Sequence, residues 1–146
     1  MQLRFVARRP ARGRQSQRRI TRITNVKTIL LVDDSSTILL SISNILTKAG
    51  YAVEKALNAE LGLAKFKANA KVDLLISDLN MPGMNGIEFI KEVRKLAGYK
   101  FTPILFLTTE SQQAKRAEAK AAGASGWLVK PATADDLLNT IKLVLR

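Results

Sequence analysis

Four short islands carry the residues of this chain that could do chemistry: Asp33 and Asp34, then Asp78, then Thr108, then Lys130 followed by Pro131. Each lies just past an apolar run that reads as a buried strand: 28–32, 72–77, 104–107 and 126–129. Three carboxylates, a hydroxyl and an amine therefore fall at strand C-termini. In an open parallel α/β sheet, that edge is where ligands bind. The chain has no His and no Cys. Any metal at this edge is held by oxygen, which suits Mg²⁺, Ca²⁺ or Mn²⁺. Thiolate metal sites, disulfides and a phosphohistidine of the chain's own are excluded.

The elements that must position these groups alternate. From Thr28 the pattern runs strand, helix, strand, helix to the end. Helical spacing of Leu39, Ile42, Leu46 and Ala49 predicts a helix over 35–49, closed by Gly50. A short strand follows over 51–55. Asn58 is placed to cap a helix through about 69, with Leu61, Leu63, Ala64 and Phe66 as its apolar face. The run 72–77 is nearly continuous in apolar residues, as central parallel strands are. Pro82-Gly83-Met84-Asn85-Gly86 has the chemistry of a loop. A helix over 87–97 would turn Ile87, Ile90, Val93 and Ala97 inward. Strand 102–107, an Ala-rich helix 111–122 ended by Gly123, strand 125–129 and a Thr133-capped helix to 145 complete the series. Asp135 and Asp136 in that last first turn suit the helix dipole.

This is (βα)₅ in about 120 residues. Short right-handed crossovers predict a doubly wound, five-stranded parallel α/β sheet of flavodoxin-like order 2-1-3-4-5. In that order strands 1 and 3 are neighbours at the switch point, so Asp33, Asp34 and Asp78 converge on one crevice.

With 146 residues and a net charge of +12, the chain is long enough for one self-sufficient core. The charge is uneven. Eight Arg and Lys27 make the first 27 residues +9, with no acid among them, and the remainder is only +3. Residues 1–26 are set apart as an Arg-rich extension and 27–146 as the globular domain. Three readings of the extension compete: a basic arm for phosphates or acidic surfaces, a targeting peptide, and translation from a start codon placed too far upstream, with Val26 as the true start. Nucleic acid is a partner only on the first of these. No apolar run approaches the roughly 20 residues of a membrane span, so no membrane insertion and a cytoplasmic location are expected.

The motifs Leu31-Val32-Asp33-Asp34-Ser35, Ser77-Asp78-Leu79-Asn80-Met81-Pro82-Gly83-Met84-Asn85-Gly86, Leu107-Thr108-Thr109-Glu110 and Gly126-Trp127-Leu128-Val129-Lys130-Pro131 resemble the receiver domain of two-component response regulators. The single-domain, chemotaxis (CheY-like) type is the nearest likeness. The resemblance spans 27–146. It implies that Asp78 accepts a phosphoryl group from a histidine kinase. It implies Mg²⁺ as cofactor, with Asp34, Asp78 and the Asn80 carbonyl as direct ligands and Asp33 acting through water. Lys130 and Thr108 would meet the phosphoryl oxygens, and Thr108 and Trp127 would form the switch. Asn80 and Glu110 would tune hydrolysis, and Lys130–Pro131 is a cis-peptide candidate. Physical chemistry supports the assignment: a carboxylate can be a nucleophile, and three clustered carboxylates repel one another unless a cation sits between them.

The same resemblance implies a monomeric signalling phosphoacceptor. It is not an enzyme acting on a separate substrate, but promotes its own phosphorylation and dephosphorylation. Its target would meet the face formed by the fourth helix, fifth strand and fifth helix; a flagellar motor switch is the expected target. A phosphorelay intermediate or a phosphate sink is the alternative. Ala132 stands where Phe is common after Lys-Pro, which predicts looser packing under the last helix. Two other classes fit less well. A haloacid-dehalogenase-type phosphatase needs an acid where Asn80 stands, and a flavodoxin-like phosphate loop conflicts with Asp33 and Asp34.

Overall fold

The computed structural model describes residues 25–145, so the Arg-rich extension, its last two residues apart, lies outside the described residues. Five strands and five helices alternate: β1 (Thr28–Val32), α1 (Ser36–Lys48), β2 (Ala52–Ala56), α2 (Ala59–Lys67), β3 (Leu74–Ser77), α3 (Gly86–Lys95), β4 (Ile104–Thr108), α4 (Gln113–Ala122), β5 (Gly126–Val129) and α5 (Ala134–Val144). The strands form one sheet in the order β2-β1-β3-β4-β5. Every pairing is parallel, with Val32 opposite Ser77 and Ser77 opposite Phe106. The doubly wound order expected from the sequence is the one observed.

Alternation along the strands builds two cores. Leu30, Val32, Leu75, Ile104 and Phe106 face one side, where α2, α3 and α4 supply Leu63, Phe66, Phe89, Ile90, Val93 and Ala119. Ile29, Leu31, Leu74, Ile76, Leu105 and Leu107 face the other, against Leu39 and Leu46 of α1 and Leu137 and Ile141 of α5. The central strands β3 and β4 are buried throughout, whereas edge strand β5 is half-buried.

Helix starts follow their caps. Ser35, Asn58, Asn85 and Thr133 each accept from the backbone N–H three residues on, and Asn85 with Glu88 completes a capping box. Helix α4 is the exception. It starts at Gln113, two residues later than its composition predicts, with no side-chain cap.

Three expectations about faces and ends need correction. On α2 the inward residues are Ala59, Gly62, Leu63 and Phe66, while Leu61 and Ala64 are exposed. The Phe89 ring presses on Gly62, where an added Cβ would lie 2.9 Å from the ring, and this orients the helix about its axis. Helix α3 ends at Lys95, because Leu96 turns extended (ψ 135°) and leaves Ala97 exposed. Strand β3 starts at Leu74 rather than Val72, since the Asp73 carboxylate takes the Thr28 amide at 2.7 Å.

Candidate functional site

The last rungs of the sheet deliver the site. The Asp33 amide donates to the Ala56 carbonyl (3.2 Å), the Asp78 amide to Val32 (2.9 Å) and the Lys130 amide to Thr108 (2.8 Å). Asp33, Asp78 and Lys130 thus leave the strands at fixed heights along one edge. Asp33 and Asp78 are buried, with exposures of 3% and 9%, and Thr108 is fully buried. Asp34 is exposed.

The Lys130 ammonium stands between two carboxylates. Its Nζ donates to Asp33 Oδ2 at 2.8 Å and to Asp78 Oδ2 at 3.2 Å. Burial works against the charged amine, yet hydrogen bonds and charge from Asp33 and Asp78 outweigh it and hold the Lys130 pKa above the ordinary lysine value. The remaining carboxylate oxygens take backbone donors: Asp33 Oδ1 accepts from Ser35 (2.9 Å), and Asp78 Oδ1 from Leu79 (2.7 Å). Asp34 has no hydrogen bond or ion pair among the described residues.

One carboxylate oxygen from each of Asp33, Asp34 and Asp78 lies within 4.8 Å of the other two. Against three such charges the structure sets one ammonium, so the local excess is negative. An all-oxygen donor set with an exposed side at Asp34 fits a hard divalent cation such as Mg²⁺. Asn80, two residues past Asp78, is exposed between the buried Leu79 and Met81. The loop is drawn close by Gly86, whose amide donates to the Leu79 carbonyl at 2.7 Å. An added Cβ at Gly86 would stand 2.5 Å from the Asp78 carbonyl and 2.7 Å from the Phe106 ring, so no larger residue fits there.

The other expected residues form a second cluster beside the first. Thr108 Oγ1 accepts from the Glu110 amide (3.2 Å), and the Glu110 carbonyl accepts from Trp127 Nε1 (3.1 Å). The backbone of Glu110 therefore joins Thr108 to Trp127. The half-buried indole packs on Phe106 with ring centroids 5.7 Å apart, and the Arg116 guanidinium lies 5.8 Å from the indole centroid. The Glu110 carboxylate accepts from the Gln112 amide at 3.2 Å. The Lys130–Pro131 peptide is cis. Together with Lys130 and Ser41, the residues Ile38, Ile42, Leu107, Pro131, Ala132 and Leu137 line a half-open surface pocket of about 220 Å³.

Two contacts lie beyond sequence reasoning. The tighter Lys130 bond goes to Asp33, 97 residues away. Glu60 on α2 accepts from the Met84 amide in the loop after β3. No local pattern signals either, because each depends on which strands and helices become neighbours.

Comparison with known proteins agrees with this geometry. The sequence model for the response regulator receiver domain matches residues 29–142. Chemotaxis protein CheY1 of Helicobacter pylori is 42% identical over 120 residues, covering 80% of this chain and 95% of that protein. A chemotaxis protein CheY homolog of Campylobacter jejuni is 40% identical, covering 80% and 91%. The crystallised chemotaxis protein CheY4 of Vibrio cholerae superposes with a TM-score of 0.79 at 50% identity, over 82% of this chain and 99% of that one. Sequence match, strand order and fold likeness agree, and the chain belongs to the response regulator receiver domain family.

Proposed function

We propose that the protein is a phosphoacceptor whose Asp78 takes a phosphoryl group from a phosphohistidine of a histidine kinase. The observation that carries this reading is the Lys130 ammonium held between the buried Asp33 and Asp78 carboxylates, with Asp34 alongside. An Asp78 carboxylate oxygen attacks phosphorus, the P–N bond breaks, and the donor imidazole leaves with a proton, forming an acyl phosphate. Asp33, Asp34, Asp78 and the Asn80 carbonyl would hold Mg²⁺. Bound there, the ion supplies positive charge to phosphoryl oxygens that a carboxylate cluster would otherwise repel. Lys130, already charged and desolvated, meets one phosphoryl oxygen, and the Thr108 hydroxyl donates to another. Catalysis on this reading is positioning and charge neutralisation.

The signal would leave through Glu110. Drawing Thr108 toward a phosphoryl oxygen pulls on the Glu110 backbone and so on the Trp127 indole. That moves the surface of α4, β5 and α5, where Lys115, Arg116, Lys120 and Lys142 are carried. The chemotaxis relatives favour a flagellar motor switch as the target; a phosphorelay partner or a sink role is the second reading. Incubation with Mg²⁺ and acetyl phosphate tests the core of the proposal. Intact mass is expected to rise by one phosphoryl group, and Asp78→Asn is expected to abolish the gain. Uptake that survives Asp78→Asn would overturn it.

A further inference from the structure

Glu60 has no part in the chemistry described above, yet it reaches the loop that carries Asn80. We propose that Glu60 is a positioning residue for that loop, aiming the Asn80 carbonyl at the metal by holding the Met84 amide; the inference rests on the metal-assisted phosphoacceptor reading.

The loop between β3 and α3 is held unevenly. Its inner part is pinned by the buried Leu79 and Met81 and by the bond from the Gly86 amide to Leu79. In its outer turn, Pro82-Gly83-Met84, Pro82 and Gly83 are exposed, and only the half-buried Met84 side chain packs against the core. Pro82 has no N–H to offer. Among the described residues, one side chain grips this turn: Glu60 Oε2 accepts from the Met84 amide at 3.1 Å.

The backbone is shaped for that grip. Gly83 has φ +78°, and a Cβ there would fall 2.9 Å from the same Glu60 oxygen. A glycine is therefore needed both for the turn and for the close approach. Glu60 is itself exposed, but it stands in the first turn of α2, where the helix dipole favours a carboxylate. Asn58 caps that helix through the Leu61 amide (2.7 Å), and Ala59 is fully buried. The rigid end of α2 thus braces the far side of the loop whose near side presents Asn80. A carbonyl ligand contributes only as well as it is aimed, and partners outside the ligand shell commonly set that aim.

Two variants test the role, Glu60→Ala and Glu60→Gln. Mg²⁺ affinity is measured by calorimetry, and Met84 amide exchange is measured in metal-free protein. Glu60→Ala is expected to weaken Mg²⁺ binding about three- to tenfold and to speed Met84 exchange by a similar factor. Glu60→Gln keeps a carbonyl acceptor, so both readouts should stay within about twofold of wild type. Wild-type affinity in Glu60→Ala would overturn the proposal, whatever the exchange rate. A loss in Glu60→Gln as large as in Glu60→Ala would also overturn it, assigning the effect to the Glu60 charge acting at a distance. Wild-type protein that bound no Mg²⁺ would overturn the functional reading itself, an outcome distinct from these.

Discussion

Lys130 is bound more closely to Asp33 than to Asp78, at 2.8 Å against 3.2 Å. The amine is therefore shared before any phosphoryl group arrives, and its firmer partner is not the proposed nucleophile. A phosphoryl oxygen on Asp78 could draw the ammonium while the Asp33 bond keeps it in place.

Replacing Lys130 by Met leaves two buried carboxylates facing each other without a cation. Metal-free protein should lose about 1–3 kcal/mol of unfolding free energy, since breaking a buried pair strands its partner. Phosphoryl uptake should slow by on the order of 10². The pH dependence follows from the raised Lys130 pKa. A group whose folded pKa is raised contributes fully below its unfolded value and loses that contribution as pH rises through the folded one. The gap between wild-type and Lys130→Met stability should hold steady from neutral pH to about 10 and close only above the ordinary lysine value of 10.5. Urea unfolding across that range measures it.

Asp34→Asn should separate stability from function. Asp34 is exposed and unpaired among the described residues, and it adds a third negative charge to the cluster. Its neutralisation should raise the melting temperature of metal-free protein by about 2–4 °C. It should also remove the stabilisation that millimolar Mg²⁺ gives the wild type. Paired thermal melts with and without Mg²⁺ check both halves.

Trp127 is the sole tryptophan of the chain, and its indole is bonded to the residue that also bonds Thr108. Beryllofluoride with Mg²⁺ should therefore change its fluorescence, in intensity or in acrylamide quenching. The same addition to Asp78→Asn should leave the emission flat.

The acyl phosphate should be short-lived, with a half-life on the order of seconds to minutes, because Asn80 and Glu110 are polar residues beside the path expected for water. Decay of label on purified phosphorylated protein measures it. A half-life of hours would count against the water-positioning role of these two residues.

Ala132 leaves room that a larger apolar side chain can use. The half-open surface pocket it lines, with Ile38, Ile42, Leu107 and Leu137, has a volume of about 220 Å³. Ala132→Leu should stabilise the protein by about 0.5–2 kcal/mol, read from the urea midpoint at unchanged slope.

Much of this protein was legible from residue order alone. Apolar runs of strand length, caps such as Asn58 and Thr133, and the placing of Asp33, Asp78 and Lys130 just past strand ends depend on near neighbours, and near neighbours are what a sequence displays. The alternation of strand and helix then restricted the topology, because parallel crossovers are right-handed and short. Faces were read less well. Leu61 was expected inward on α2 and is exposed, because the Phe89 ring on another helix decides how α2 is turned. Only the tertiary structure decided that Lys130 favours Asp33, that Glu110 links Thr108 to Trp127, and that Glu60 grips the turn at Met84. Apart from the local bond of the Glu110 amide to Thr108, each is a contact between side chains or amides from separate elements, and its length depends on the twist, register and packing of the whole sheet. The sequence by itself determined which chemistry stands at the sheet edge; folding determined which partner each group holds there.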